Sequence, residues 1–345
     1  MTVNVALFGY GLAGAHFHAP LVAYDPRFRL ARVVTSRKEE VARDFPRALV
    51  STDADAVLGA DDIDLVVIAT PNKTHAPLAR DALLAGKHVV IDKPFVPEAS
   101  EGASLVALAQ ERGRMLTVFH NRRWDADFLT VAKLLREERL GPINHAEFRW
   151  DRFRLGIRDG WKEVPDEATG LLADLGPHLI DQALMLFGTP DSITGDSALQ
   201  RAGTLVDDYF ELTLHYGPKR VILSASTLMP EPRPRFALHG NAGSFVKYGI
   251  DPQEDWMRAG KRPGDKGYGV EPAAAHGTLT GADGRRQQVP SERGDWPVFY
   301  RQVADAILDG APPPVDPADA VTGLRIIETG RRSAREGRSL RFDPA

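Results

Sequence analysis

The sequence predicts an α/β protein: an N-terminal Rossmann-type, doubly wound parallel sheet, then an α+β domain with an open, mainly antiparallel sheet. Three observations predict this. Short runs that are apolar throughout alternate with helical patterns over residues 3–120. A glycine-rich turn, "GYGLAG", follows the first of these runs. After residue 121 the strand-like runs are joined by hairpin-type turns instead. Strands apolar on both faces need helices on both faces, whereas hairpins bring neighbours in antiparallel.

Taken in order, "VNVALFG" reads as a strand and "LAGAHFHAPLVAY" as a helix that Pro20 can kink. "LARVVT" is a second strand, "KEEVARDF" a helix, and "IDLVVIAT" a third strand. "HAPLARDALLAG" (helix), "HVVIDKP" (strand), "SEGASLVALAQERG" (helix) and "MLTVFH" (strand) complete a domain over residues 1–120. In the second domain, residues 121–345, "DDYFELTLHY" and "RVILSAS" read as strands. "RFALHGNAGSFVKYG" reads as a hairpin about Asn241, Ala242 and Gly243. Residues 260–294, rich in Gly and Pro, are expected to form a loop with a small hairpin at "ADG". "DWPVFYRQVADAILDG" and "PADAVTGLRIIETGRRSAREG" close the chain as amphipathic helices.

Length and composition suit two domains, each able to bury a core: 345 residues, 43% hydrophobic and 26% charged. The net charge is −4, without the basic surplus that nucleic acid or an anionic membrane selects. Cys is absent, which excludes disulfides, thiolate metal sites and a Cys nucleophile. The ten His are scattered and no H-E-x-x-H occurs, so no catalytic metal is expected. The start carries no signal-peptide pattern and no run reaches the ~20 apolar residues of a membrane span. A cytoplasmic protein is expected.

Gly9, Gly11 and Gly14 form a G-x-G-x-x-G between a strand and a helix. Gly9 permits a tight turn, Gly11 lets backbone approach a pyrophosphate, and Gly14 lets the helix pack close to its strand. Tyr10 and Leu12 of the same turn are candidate cofactor contacts. An NAD site carries Asp or Glu about 20 residues further on. Here the second strand ends "VVTSRKEE", without an acid before Ser36, Arg37 and Lys38. Ser36 with Glu39 fits a capping box. Arg37 and Lys38 would sit where a helix terminus disfavours cations, a cost that a bound 2′-phosphate would offset. NADP(H) is therefore preferred, with NAD(H) possible. Thr70, Pro71 and Asn72 end the third strand at the sheet edge where ligands bind. His75 is either a further contact or a helix-start residue facing solvent.

Hydride transfer between an alcohol and a nicotinamide needs a proton acceptor and a donor near the oxygen. Lys93 leaves a strand at the cofactor edge, with Pro94 holding its backbone extended; a surface-loop lysine is the alternative. Gly176 and Pro177 suit an N-cap and first helical position, which would put His178 in a first turn whose field favours neutral imidazole. Asp174 would then orient the ring, with Asp181 competing; a capping Asp beside a core His is the other reading. Asn121, Arg122 and Arg123 leave the last strand towards the second domain. One arginine would bind substrate oxygens and the other a structural partner. "RWDRFRLGIRDGW", ending at Trp161, either lines a polyol pocket or is a solvated loop.

With "GYGLAG", "ATPN", "DKP" and "DLGPH" in place along essentially the whole chain, the sequence resembles the Gfo/Idh/MocA family of NAD(P)-dependent oxidoreductases. "FHAP", "DKPF" and "FHNRRWDADFLT" look most like its branch that holds NADP-dependent scyllo-inositol dehydrogenase. The usual lysine motif there is Glu-Lys-Pro, so Asp92 is a departure that keeps the charge and shortens the reach. The resemblance implies Lys93, Asp174 and His178 as the catalytic group, with His178 the proton acceptor. Asp92 and Lys93 are counted with the candidate cofactor contacts, and Lys93, Asn121, Arg122, Arg123, Trp161, Asp174 and His178 with the candidate substrate contacts. The resemblance also implies a polyol or sugar substrate, and a homodimer or homotetramer formed through the C-terminal sheet. Two rival readings belong to the same fold: a redox-assisted glycosidase and a non-catalytic nucleotide-binding regulator. The intact Lys93, Asp174 and His178 argue against the second.

Overall fold

Six short strands rich in Val, Ile and Leu make the first sheet of the computed structural model, which describes residues 2–157, 160, 163–165 and 168–344. They are β1 (Val3–Phe8), β2 (Phe28–Val34), β3 (Leu49–Ser51), β4 (Leu65–Ile68), β5 (His88–Ile91) and β6 (Leu116–Val118). All pair in parallel, in the order β3-β2-β1-β4-β5-β6. β4 is buried at every residue, as a strand covered on both faces must be. The connecting helices are α1 (Ala19–Tyr24), α2 (Lys38–Asp44), α3 (Ala54–Leu58), α4 (His75–Leu84) and α5 (Ala99–Arg112). The strand order reverses between β1 and β4, and the crevice beyond such a switch point is where open α/β sheets take ligands.

Two local features of this unit depart from the sequence reading. The helix expected from "LAGAHFHAPLVAY" opens as a π-helical turn, Gly14–His18, before α1. Pro20 stands in the first turn of α1, directly after that π-helical turn. The capping box at Ser36 does not form: Arg37 is the N-cap of α2 and no side chain caps it.

The second sheet has nine strands in the order β14-β13-β12-β11-β7-β10-β9-β8-β15. In chain order these are β7 (Ile143–Arg149), β8 (Ser192–Ala198), β9 (Tyr209–Tyr216), β10 (Lys219–Ser226), β11 (Phe236–Gly240) and β12 (Gly243–Lys247). β13 (Gly277–Gly281), β14 (Arg286–Val289) and β15 (Leu340–Arg341) complete it. Only β7 and β10 run parallel; every other neighbour is antiparallel. The expected hairpins about Asn241–Gly243 and "ADG" are β11-β12 and β13-β14.

Alternation gives this sheet two unlike faces. Ala146 and Phe148, Phe210, Leu212 and Leu214, and Val221 and Leu223 point inward to one core with α6 (Ala126–Arg136) and α7 (Leu171–Phe187). His145, Glu147, Glu211 and His215 lie on the outer face, partly exposed. α8 (Gln253–Arg258) and α9 (Pro297–Asp309) return to the first unit, which comprises residues 1–121, 253–268 and 295–321. α10 (Pro317–Glu336) begins there and continues into the second unit, residues 122–252, 269–294 and 322–345. Among the described residues no helix is long and apolar enough to cross a membrane.

α7 corrects a further expectation. It begins at Leu171, not at Gly176, and Pro177 lies inside it. The cap that permits this comes from a distant segment. The Asp207 carboxylate accepts the Leu172 N–H at 2.7 Å and the Asp207 carbonyl accepts the Leu171 N–H at 2.8 Å. These bonds satisfy donors that a helix start leaves open. Gly170 admits the carboxylate, since a Cβ there would stand 2.1 Å from Asp207 Oδ1 and the backbone φ is +89°.

Two alanine substitutions separate this remote cap from ordinary glycine strain. Gly113 has φ +59° and open space, with nothing within 4 Å of where a Cβ would sit, so Gly113→Ala should cost about 1 kcal/mol. Gly170→Ala should cost roughly 3 kcal/mol or more, because strain and collision act together. Denaturant unfolding of both variants measures this, and equal losses would show that Asp207 moves aside freely.

Candidate active site and nucleotide cradle

The glycine turn of the first unit separates packing from ligand requirements. Gly9 has φ +95°, and a Cβ there would meet the Ala69 carbonyl oxygen at 2.4 Å. At Gly14 a Cβ would meet the Gly9 oxygen at 2.2 Å. Both glycines are demanded by the close approach of the turn to itself and to the end of β4. Gly11 differs: a Cβ there would find nothing within 4 Å. Among the described residues no neighbour requires Gly11 to be bare, which fits a cradle left open for a dinucleotide pyrophosphate. Tyr10 is buried with its hydroxyl donating to Asp44 Oδ2 at 3.0 Å, and Leu12 is exposed. Burial, then the hydrogen bond to Asp44, pushes the Tyr10 phenol well above its usual range.

Ser36, Arg37 and Lys38 are all exposed at the end of β2. Arg37 pairs with Glu40 at 3.3 Å, and its N–H donates to Thr35 Oγ1 at 3.1 Å. Thr70 and Pro71 follow β4, where Thr70 Oγ1 accepts from Thr74 Oγ1 at 2.6 Å, and Asn72 is buried. His75 is buried too, against the expectation that it could face solvent. Its ring lies 3.0 Å from the Pro94 oxygen, 3.2 Å from the Phe95 oxygen and 2.9 Å from the Thr70 oxygen. It ties the turn after β4 to the turn after β5.

Lys93, half-buried, stands in that second turn. The Lys93 N–H donates to Asp92 Oδ1 at 2.9 Å. Burial alone would push the Asp92 carboxyl up; His18, then the charges of Lys93 and His75, outweigh it and hold the group below its ordinary value. Neither His18, one of the ten scattered His, nor Tyr300 carries a site signal in the sequence.

In the second unit α7 lays Asp174, His178, Asp181 and Gln182 along one face, at helical spacing. Each meets a different partner. The Asp174 carboxylate lies 3.6 Å from Arg152 Nη1. His178 stacks on Trp150, ring centroids 5.7 Å apart and planes at 29°. Asp181 takes a forked guanidinium from Arg123, at 2.6 to 3.1 Å. Gln182 donates to the Arg122 carbonyl at 3.0 Å and accepts from Arg235 Nη2 at 2.6 Å. With α7 starting at Leu171, the helix-terminus field acts on the turn of Asp174, and His178 stands one turn beyond it.

The two arginines after the last Rossmann strand are thereby told apart. Arg123 is committed to Asp181, a planar fork on a carboxylate. Arg122 lies over the Trp150 ring at 4.7 Å and 3.4 Å from Asp125. Arg235 lies over the same indole at 5.3 Å, fully buried, and Arg152 at 5.9 Å. Burial lowers the Arg235 guanidinium, with Asp127 and Asp125 opposing. Three guanidinium groups and an imidazole around one indole make a cation-rich, hydrogen-bonding surface suited to hydroxyl and carbonyl oxygens. Trp150 and Arg152 stand in "RWDRFRLGIRDGW", the stretch offered either as a pocket lining or as a solvated loop, whereas Arg235, in a Pro-rich stretch, gave no site signal. Asn121 is buried at the end of the first unit, and Trp161 lies outside the described residues. Among the described residues no cluster of three or more His, Asp or Glu could hold a metal ion.

The profile "Oxidoreductase family, NAD-binding Rossmann fold" matches residues 3–120, and "Oxidoreductase family, C-terminal alpha/beta domain" matches residues 132–342. The chain is 40% identical to scyllo-inositol 2-dehydrogenase (NADP(+)) IolW of Bacillus subtilis, covering 99% of this chain and 96% of that protein. It is 42% identical to the uncharacterized oxidoreductase YdgJ of Escherichia coli, covering 98% of each. The solved structure of YvaA from Bacillus subtilis superposes with a TM-score of 0.97 at 40% identity, covering 99% of each chain.

Two measurements test this geometry. Asp181→Ala removes the carboxylate from a buried ion pair and should cost about 3–5 kcal/mol of stability, read as a lower denaturation midpoint. Gly11→Ala should leave unliganded stability within about 0.5 kcal/mol while weakening nicotinamide-nucleotide binding at least about tenfold. If it melts early instead, Gly11 serves packing and the open-cradle reading is lost.

Proposed function

The chain belongs to the Gfo/Idh/MocA oxidoreductase family, and on that premise we propose an NADP(H)-dependent dehydrogenase that interconverts a secondary alcohol of a cyclic polyol or sugar, scyllo-inositol-like, with its ketone. The observation that carries the substrate class is 40% identity along 99% of the chain to a scyllo-inositol 2-dehydrogenase. The NADP preference is supported by the exposed Ser36, Arg37 and Lys38, which follow β2 without a preceding acid.

When bound, the nicotinamide accepts or supplies the hydride. The protein's own groups do the rest. Lys93 presents a positive donor to the substrate oxygen as charge develops there. His178 takes or returns the hydroxyl proton, with Trp150 fixing the plane of its ring. Asp174, beside Arg152, orients a substrate hydroxyl. Arg122 and Asn121 are assigned to the remaining substrate oxygens, and Arg123 holds α7 through Asp181. The outer face of the nine-stranded sheet is assigned to self-association as a homodimer or homotetramer.

Lys93→Ala and His178→Ala should each lower turnover about 10²–10⁴-fold while NADPH still binds. Unchanged turnover in both would remove the mechanism. Arg37→Ala should weaken NADPH about tenfold and NADH less than about twofold, by the value of one charge-assisted contact. Cofactor consumption with a panel of inososes and keto-sugars, run with each nucleotide, checks both. Silence across the panel despite tight NADPH binding would refute the substrate class.

A further inference from the structure

Three segments far apart in sequence bring a buried polar chain to the back of the Lys93 turn. Tyr300, on α9, places its hydroxyl 2.7 Å from His18 Nδ1, across 282 positions of sequence. The other ring nitrogen, His18 Nε2, points at Asp92 Oδ1, 3.6 Å away. That same Asp92 oxygen accepts the Lys93 N–H at 2.9 Å. His18 and Tyr300 are both fully buried, packed with Phe119, Phe28 and Phe299. A Phe and a Leu would fill this volume without burying polar groups, which is unfavourable unless those groups are partnered. Filling space therefore does not explain the pair.

The direction of the chain follows from its chemistry. Burial, reinforced by the charge of Asp92, keeps the Tyr300 phenol protonated. Its O–H can donate to Nδ1, and the ring tautomer that accepts it carries its proton on Nε2, facing the carboxylate. Among the described residues the buried His18 Nε2 has no hydrogen-bond partner, and the Asp92 carboxylate faces it at ion-pair distance, 3.6 Å. On the far side of the turn, His75 holds the Pro94 and Phe95 carbonyls. The ionisable groups facing Asp92 are thus His18 from the π-helical turn, Tyr300 from α9, His75 from α4, and Lys93 itself.

We infer that His18 and Tyr300 are positioning residues for Lys93: the Tyr300–His18–Asp92 chain fixes the Asp92 carboxylate, and through it the turn that presents the ammonium group. This rests on Lys93 acting in the proposed reaction. The chain itself belongs to the folded first unit, so it can be read without turnover.

The test uses Tyr300→Phe, His18→Leu and His18→Gln in the full-length protein. Acetic anhydride labelling at fixed pH, quantified on the Lys93 peptide by mass spectrometry, reports that amine without any substrate. Tyr300→Phe keeps the ring packing and should change the Lys93 labelling rate at least threefold, leaving surface lysines unaffected. It should lower kcat at least tenfold with KM for NADPH changed less than twofold. His18→Leu should do the same. His18→Gln, whose amide can accept from Tyr300 and donate toward Asp92, should recover at least a third of the lost turnover; a packing role would be met as well by Leu. Unaltered Lys93 labelling in Tyr300→Phe overturns the inference, whatever happens to turnover. Altered labelling with a wild-type protein inactive on every polyol upholds the positioning chain and sinks the proposed reaction instead.

Discussion

The grip of Asp207 on the first turn of α7 is the constraint on which the second unit's site depends. Without that remote cap the chain's own punctuation, Gly176 and Pro177, would start the helix later. As built, α7 gains a turn at its start and Asp174 becomes helical. Only then do Asp174, His178, Asp181 and Gln182 share one face. The opposite face is apolar: Leu172, Leu175, Leu179, Ile180 and Ala183 belong to the core of the nine-stranded sheet. Helical spacing, once the start is set, aims every polar residue of the site at once. Asp181 then locks the aim through a buried fork on Arg123, an arrangement costly to leave half-made.

The first unit reaches a comparable rigidity by different means. Its parallel strands deliver two turns to the same edge, one after β4 and one after β5. His75 joins those turns through backbone carbonyls, while Asp92 and His18 brace the second from behind. The glycines divide their labour: Gly9 and Gly14 let backbone meet backbone, and Gly11 leaves room that no protein atom uses. In the proposed reaction, preorganisation of this sort would keep a charged donor fixed while the reacting oxygen changes charge.

Much of this was legible in the sequence, for identifiable reasons. The parallel sheet was visible because "LVVI" and "HVVI" are apolar without alternation, and the hairpins because of their turn residues. Lys93 stood out only by its place at the edge where open α/β sheets take ligands, since a lysine in a surface loop is otherwise the commonest case. β7 was missed because "INHAEFR" carries more polar than apolar residues, its inward positions being only Ala146 and Phe148. The start of α7 was misread because its cap lies 35 positions from the residue it serves, beyond any local signal. Ser36 and Glu39 matched a capping box in spacing, yet Arg37 took the N-cap. His18 and Tyr300 were invisible as a pair for the plainest reason: neither has meaning until the fold joins them.

Hydride transfer to a polyol carbonyl is the proposed reaction, in which the chain's own residues handle only the proton and the charge. It is tested most directly with NADPH deuterated at the transferring position, mixed with an inosose and this protein, and the product read by NMR. Deuterium is expected on the new carbinol carbon of the product, in step with cofactor oxidation. Deuterium retained in the cofactor, or sugar released from a glycoside with no net change in the nucleotide, would contradict it.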